Sequence, residues 1–348
     1  MSKLRVLVVD DSAFMRRVIK QMLESDPEIE VIGTARDGAE GVDMTVSLAP
    51  DVVTMDIEMP RMNGLEATKL IMEKLPTPII MVSSLTEEGA KATFDALERG
   101  AVDYVAKHLD NSTFNIMKIQ NELIGKVKAV ARKSRRFHSA PQERRRPMHV
   151  PLAKGFITQK IAFVAIGAST GGPRAIQEII ARLPGDMATP FLIAVHMPKA
   201  FTKAFADRLN ELSMLHVKEV ESNEPVKPGC VFVSQGGAQT RIKRRGATEF
   251  YIEISDNPPD SLYKPSVDVS MQSVADCFPG RSMGVILTGM GHDGMQGMKL
   301  IKEKGGKTLA QNEETCVVYG MPKAVIDAGI ADKIAPLDAI AAEIVNMI

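Results

Sequence analysis

Tryptophan is missing from this 348-residue chain, and aromatic residues make up only 5% of it. Base-stacking platforms for single-stranded nucleic acid are built from such rings, so that class of function is set aside. Cysteine is scarce as well. Cys230, Cys277 and Cys316 are scattered, with neither metal-ligand spacing nor an even disulfide framework, and are expected as small buried or half-buried side chains. Neither sign of charge dominates: 43 Lys and Arg face 43 Asp and Glu. That balance argues against a protein whose affinity rests on phosphate neutralisation. No apolar run has the length of a membrane span, and Met1-Ser-Lys-Leu-Arg5 leads into a short strand rather than a signal peptide. A cytoplasmic protein that is not inserted in a membrane is expected. Its length suits two domains, each with its own core.

What is present begins with strand-length apolar runs that end in chemically useful side chains. Leu4-Arg-Val-Leu-Val-Val9 runs into Asp10 and Asp11, Val52-Val-Thr-Met55 into Asp56, Pro78-Ile-Ile-Met-Val82 into Ser83, and Val102-Asp-Tyr-Val-Ala106 into Lys107. Helical patterns lie between them, as in Ala13–Leu23 and Leu65–Met72. Strands alternating with helices imply a parallel sheet, whose working groups gather outside the strands' carboxyl ends. Three acids, a hydroxyl and an amine therefore converge. The chemistry that fits is phosphoryl transfer: Asp10, Asp11 and Asp56 bind Mg²⁺, Asp56 is the nucleophile, and Ser83 and Lys107 hold the acyl phosphate oxygens.

Residues 4 to about 124 resemble a response-regulator receiver domain. The resemblance implies a flavodoxin-like fold, Asp56 as phospho-acceptor, Ser83 in the hydroxyl position, and Tyr104 in the aromatic switch position. One departure is that the family usually has proline after the lysine, with a cis peptide there, where this chain has His108. The domain is assigned to residues 1–124. Residues 125–156 are expected to hold the end of its last helix, then a mobile linker from about 134. Arg132-Lys-Ser-Arg-Arg-Phe-His-Ser-Ala-Pro-Gln-Glu-Arg-Arg-Arg-Pro147 has no apolar periodicity and cannot bury enough surface to fold alone. This basic run stands without a recognition helix or zinc pattern, so no nucleic-acid partner is expected.

The remainder, 157–348, is organised around Ile161-Ala-Phe-Val-Ala-Ile-Gly-Ala-Ser-Thr-Gly-Gly172. A buried strand ends in a glycine turn that carries Ser169, and Pro173-Arg-Ala-Ile-Gln-Glu-Ile-Ile180 behind it has helical spacing. Gly167 and Gly171 permit close approaches, and the helix N-terminus offers free N–H groups to a developing oxyanion. Gly167-Ala-Ser-Thr-Gly171 matches G-x-S-x-G, though glycine turns after strands also cradle phosphates. A later strand, Pro190–Val195, delivers His196. The strand beginning at Ser282 exits through Met290-Gly-His-Asp-Gly294 and presents Asp293. Between them lie the strand Cys230–Ser234 and an antiparallel hairpin, Thr240–Arg244 with Glu249–Ile254. The domain is thus read as doubly wound, mostly parallel α/β. Serine, imidazole and carboxylate at three strand ends meet the needs of nucleophilic catalysis: a base to take the hydroxyl proton and an acid to fix the base's tautomer. A competing order, Ser169 with Asp260 or Asp268 and then His292, places its acid away from strand exits.

With Val195-His-Met-Pro198, Pro265-Ser-Val-Asp-Val269, Leu287-Thr-Gly-Met-Gly291 and Val317-Val-Tyr-Gly-Met-Pro322 added, residues 160–348 resemble the catalytic domain of the chemotaxis methylesterase (CheB) family. The resemblance implies a carboxylic ester hydrolase acting on γ-glutamyl methyl esters of methyl-accepting chemotaxis receptors at membrane-associated arrays, and a second activity, glutamine deamidation. It makes Ser169 the nucleophile, His196 the base and Asp293 its orienting partner, with Thr170 supporting the histidine region and the Met290 N–H an oxyanion donor. No cofactor is implied for the ester reaction. A chemotaxis histidine kinase would phosphorylate Asp56, and the unphosphorylated receiver would block the cleft. The alternative is a receiver-linked regulator with a nucleotide- or DNA-binding output domain. It finds no P-loop lysine, no ribose-binding acid at the required distance and no helix-turn-helix.

Overall fold

The computed structural model describes residues 3–107, 113–138, 160–246 and 248–348. His108 and residues 139–159, which hold most of the expected linker, lie outside the described residues.

The N-terminal domain alternates strictly: β1 (Leu4–Val9), α1 (Ala13–Glu24), β2 (Ile29–Ala35), α2 (Gly38–Leu48), β3 (Val52–Asp56), α3 (Gly64–Lys74), β4 (Ile79–Ser84), α4 (Glu87–Glu98), β5 (Asp103–Lys107) and α5 (Thr113–His138). The strands form one parallel sheet in the order β2-β1-β3-β4-β5. Four helix starts are fixed by side-chain caps, with Ser12, Asp37, Asn63 and Thr86 accepting from amides of the first turn. Alternate strand residues separate the two faces. Val6, Val8, Val52, Ile80 and Val105 meet α1 and α5, while Leu7, Val53, Met55 and Met81 meet the other helices. β2 was not anticipated. It is an edge strand with an exposed Glu30 and half-exposed Ile32 and Gly33, so its apolar run is broken. Nor does the packed domain stop at residue 124: Val127, Val130 and Ala131 on α5 are buried against the sheet, because the helical apolar spacing continues.

The C-terminal domain comprises β6 (Phe163–Ala168), α6 (Gly172–Ile180), β7 (Phe191–Val195), α7 (Lys199–Leu212), β8 (His216–Glu219), β9 (Cys230–Val233), β10 (Gln239–Arg245), β11 (Glu249–Ser255), α8 (Val267–Cys277), β12 (Ser282–Ile286), α9 (Met295–Glu303), β13 (Lys307–Gln311), α10 (Met321–Asp327), β14 (Lys333–Ala335) and α11 (Leu337–Met347). Seven strands form a parallel sheet ordered β14-β13-β12-β6-β7-β9-β8, and β10–β11 is a separate antiparallel hairpin. The expected architecture, receiver plus doubly wound α/β domain with a hairpin, is the one present. β8, β13 and β14 were not anticipated, being short and flanked by charged or polar residues. The connection from β6 to β7 runs to one side and β12 lies on the other, so the strand order reverses at β6. Such a reversal opens a crevice above the strands' carboxyl ends.

The two domains share one core. Phe94 of α4 packs on Phe201 and Phe205 of α7 with ring centroids 6.3 and 5.3 Å away, and Tyr104 of β5 stacks on Phe201 at 4.7 Å. Arg208 on α7 pairs with Glu98 at the end of α4. The α4–β5–α5 side of the receiver therefore faces the catalytic-domain crevice directly.

Candidate active site

Ser169, His196 and Asp293 follow β6, β7 and β12, three neighbouring strands, and the structure brings them together. His196 Nδ1 lies 3.1 Å from Ser169 Oγ, and His196 Nε2 lies 2.8 Å from Asp293 Oδ2. With the proton on Nε2 donated to the carboxylate, Nδ1 is the acceptor facing the serine. The parallel register places these groups side by side: Ala168 pairs with Val195, and Ile286 pairs with Gly167.

The carboxylate is held from every side. Asp293 Oδ1 accepts from Ser266 Oγ at 2.9 Å and the Asp268 N–H at 3.1 Å, and Oδ2 accepts from the Val267 N–H at 2.7 Å. These donors are the N-cap and first turn of α8, where the helix dipole favours negative charge. Burial by itself would raise the Asp293 pKa, but the His196 interaction and the Val267 and Asp268 amides carry it below the ordinary carboxylate value. In the sequence, Pro265-Ser-Val-Asp-Val269 signals this role only through an N-capping serine followed by helical spacing.

The nucleophile turn is equally constrained. The Ser169 N–H donates to the Thr288 carbonyl at 3.0 Å, and Thr288 Oγ1 donates to the Thr170 carbonyl at 2.9 Å. Thr288 is in turn fixed by buried Gln311, whose Oε1 accepts the Thr288 N–H at 2.8 Å. Neither residue was singled out from sequence. Gly289 must be glycine, since a Cβ there would stand 2.9 Å from Ser169 Cβ and 2.2 Å from Met321 Sδ. Gly171 adopts φ +73°, and its Cβ would meet Val317 at 2.5 Å. Among the described residues, the amides of Thr170 and Met290 donate to no acceptor within the chain. Thr170 itself is buried, its carbonyl accepting from Thr288, and among the described residues it makes no hydrogen bond to His196. His292 and Asp260 are exposed, and Asp268 accepts from the Gly297 amide, so the competing triad does not assemble.

The receiver touches this centre. Asp103 Oδ2 accepts from the Gly171 N–H at 3.3 Å and pairs with Lys126 of α5 at 3.3 Å. The Met290 side chain lies against Gly125, where a Cβ would stand 3.1 Å from Cε.

Within the receiver, Lys107 Nζ lies 2.7 Å from Asp56 Oδ2 and 3.0 Å from Asp10 Oδ2. Burial pushes the Asp56 carboxyl up to about 6 against the pull of Lys107, and the two acids hold Lys107 above its ordinary value despite its burial. Asp10, Asp11 and Asp56 can each offer one oxygen, these lying within 4.8 Å of one another. An all-carboxylate donor set suits a hard divalent cation. Ser83 is buried and donates to the Gly89 carbonyl at 3.1 Å, turned toward α4. Tyr104 is turned inward and buried. Cys230 and Cys316 are buried and Cys277 half-buried. No helix among the described residues is long and apolar enough to cross a membrane.

Residues 164–344 match the family model described as CheB methylesterase, and residues 6–117 match the response regulator receiver domain. The chain is 48% identical to a protein-glutamate methylesterase/protein-glutamine glutaminase of Lawsonia intracellularis, over 98% of each chain. It is 43% identical to the Pyrococcus abyssi protein of the same name, over 99% of this chain and 94% of that one. The crystal structure of the Thermotoga maritima CheB methylesterase catalytic domain aligns with a TM-score of 0.53 at 38% identity, covering 54% of this chain and all of that one. The chain belongs to the CheB methylesterase family, with a response-regulator receiver domain preceding the catalytic domain.

Proposed function

We propose that the chain is a phosphorylation-activated hydrolase that removes methyl groups from γ-glutamyl methyl esters of chemoreceptors and deamidates receptor glutamines. The observation that carries this reading is the hydrogen-bonded chain from Ser169 through His196 to Asp293, at 3.1 and 2.8 Å. His196 Nδ1 takes the Ser169 proton as Oγ bonds to the ester carbonyl carbon. The carbonyl electron pair moves onto oxygen, and the Thr170 and Met290 amides, which donate to no acceptor among the described residues, would hold that oxyanion. Collapse breaks the C–OCH₃ bond, and the proton held on Nδ1 leaves with methanol. Water, deprotonated by the same nitrogen, then attacks the acyl-serine and frees the glutamate and Ser169. With a glutamine substrate the leaving group is ammonia. Asp293 stays ionised throughout and offsets the charge that appears on the imidazole.

Asp56 accepts a phosphoryl group from the chemotaxis histidine kinase. Asp10, Asp11 and Asp56 would hold Mg²⁺, which when bound neutralises charge on the transferring phosphoryl group. Lys107 already touches Asp56, while Ser83 has to leave the Gly89 carbonyl to reach the acyl phosphate. That movement and the repacking of Tyr104 would loosen the face bearing Asp103 and Gly125 from the nucleophile turn. The protein works in the cytoplasm at membrane-associated receptor arrays, without membrane insertion or nucleic acid. Methanol release from methylated receptor membranes tests the reading. Wild type releases methanol and Ser169→Ala does not; equal release by both overturns it.

A further inference from the structure

Tyr263 lies in the loop between β11 and α8, outside the triad and the oxyanion turn. Its ring stacks on the His196 imidazole, with centroids 3.9 Å apart and planes 6° from parallel. Its hydroxyl reaches the Gly291 turn, where a Cβ on Gly291 would stand 3.6 Å from the oxygen. One side chain thus spans from the base to the loop that carries Met290.

The loop is held in place from the hairpin. Gln239, at the start of β10 and fully buried, donates through Nε2 to the Tyr263 carbonyl at 2.8 Å and accepts the Ser266 N–H through Oε1 at 2.8 Å. Ser261 Oγ donates to the same carbonyl at 2.9 Å, and the Gly237 N–H donates to the Lys264 carbonyl at 3.0 Å. The β10–β11 hairpin, detached from the main sheet, thereby fixes both the ring over His196 and the serine under Asp293.

We infer that Tyr263 is a positioning residue for His196, and that Gln239 acts through it. The inference rests on the reading of His196 as the base. A flat ring in contact with the imidazole blocks rotation that would take Nδ1 from Ser169 or Nε2 from Asp293. Its π face also favours the imidazolium over the neutral ring, and the imidazolium exists only after proton transfer has begun. An interaction gained on the way to the transition state raises kcat and leaves substrate binding unchanged.

The test uses the full-length protein with a phosphodonor and compares methanol release by wild type, Tyr263→Phe, Tyr263→Leu, Tyr263→Met and Ser169→Ala. A fluorophosphonate probe reports Ser169 reactivity independently of receptor binding. Tyr263→Phe keeps the ring and stays within about twofold of wild type, while the two aliphatic variants lose about 5- to 30-fold in kcat with KM within about twofold. Probe labelling of Ser169 falls in parallel. If Ser169→Ala still releases methanol, the reading of the site fails and this inference falls with it. If Ser169→Ala is inactive while folded aliphatic variants keep kcat, or change KM alone, only the role of Tyr263 is overturned. A loss in Tyr263→Phe equal to that in Tyr263→Leu overturns ring stacking as the cause.

Discussion

Asp293→Asn preserves volume and exchanges one acceptor for an NH₂ donor. In the wild-type protein all four ligands of the carboxylate are donors: Ser266 Oγ and the Asp268 N–H on Oδ1, the Val267 N–H and His196 Nε2 on Oδ2. Whichever way the amide is turned, its NH₂ meets a backbone N–H that cannot reverse, Val267's or Asp268's. One buried donor left unsatisfied costs about 1–3 kcal/mol of stability. With NH₂ toward His196, Nε2 must accept, the ring proton moves to Nδ1, and the nitrogen facing Ser169 can no longer take a proton. With oxygen toward His196 the tautomer survives, but the negative charge that offsets the imidazolium is gone. Either outcome raises the barrier by about 3–5 kcal/mol, so kcat should fall about 10²- to 10⁴-fold. The measurements are methanol release with saturating phosphodonor and urea unfolding of both proteins. A second signature is the acid limb of stability. Because folding lowers the Asp293 pKa below its ordinary 3.8, its contribution is fully present above that value. The contribution is lost as pH falls through the lower folded value, and the Asn variant lacks this segment of the slope. A folded Asp293→Asn protein with kcat within tenfold of wild type would refute the orienting role of the carboxylate.

Further expectations concern the receiver and the glycine contacts. Asp56→Asn should retain basal methanol release while phosphodonors no longer raise it; activation of that variant by acetyl phosphate would contradict the phospho-acceptor assignment. Phe201→Ala removes a fully buried ring that meets both Phe94 and Tyr104, so about 3–5 kcal/mol of stability should be lost and unphosphorylated activity should rise. Unchanged basal activity in the folded variant counts against blocking by this face, as would an isolated catalytic domain, freed of residues 1–150, no more active than the unphosphorylated whole. Gly167→Ala places a methyl 2.1 Å from Val267 Cγ1, and should cost about 1–3 kcal/mol by forcing β6 away from α8. A melting temperature equal to that of wild type would show that the contact yields freely.

Particular residues show how far the sequence carries. The buried strands betrayed themselves by branched apolar runs, and the alternation with helices made both sheets parallel. A parallel sheet sends every strand end to one rim, so Asp10, Asp56, Lys107, Ser169, His196 and Asp293 could be listed before any contact was known. β2 escaped because this edge strand carries a polar residue between apolar ones, and β14 because it is only three residues long. Thr288, Gln311, Gln239 and Tyr263 escaped for a different reason. Each acts through a hydrogen bond or ring contact with a residue far away in the chain, and one hydroxyl, amide or ring in isolation has no periodicity to announce it.

The chain's own chemistry determined the two α/β domains, the rim on which each set of reactive groups sits and the order in which they occur. Folding decided which imidazole nitrogen faces Ser169, that four donors surround Asp293, and that Asp103 and Gly125 of the receiver lie against Gly171 and Met290. Where strands and helices fall along the chain follows from local pattern, because burial of a run depends on its own side chains. Distances between groups from separate strands and domains depend on strand order, packing and docking, which local pattern does not encode.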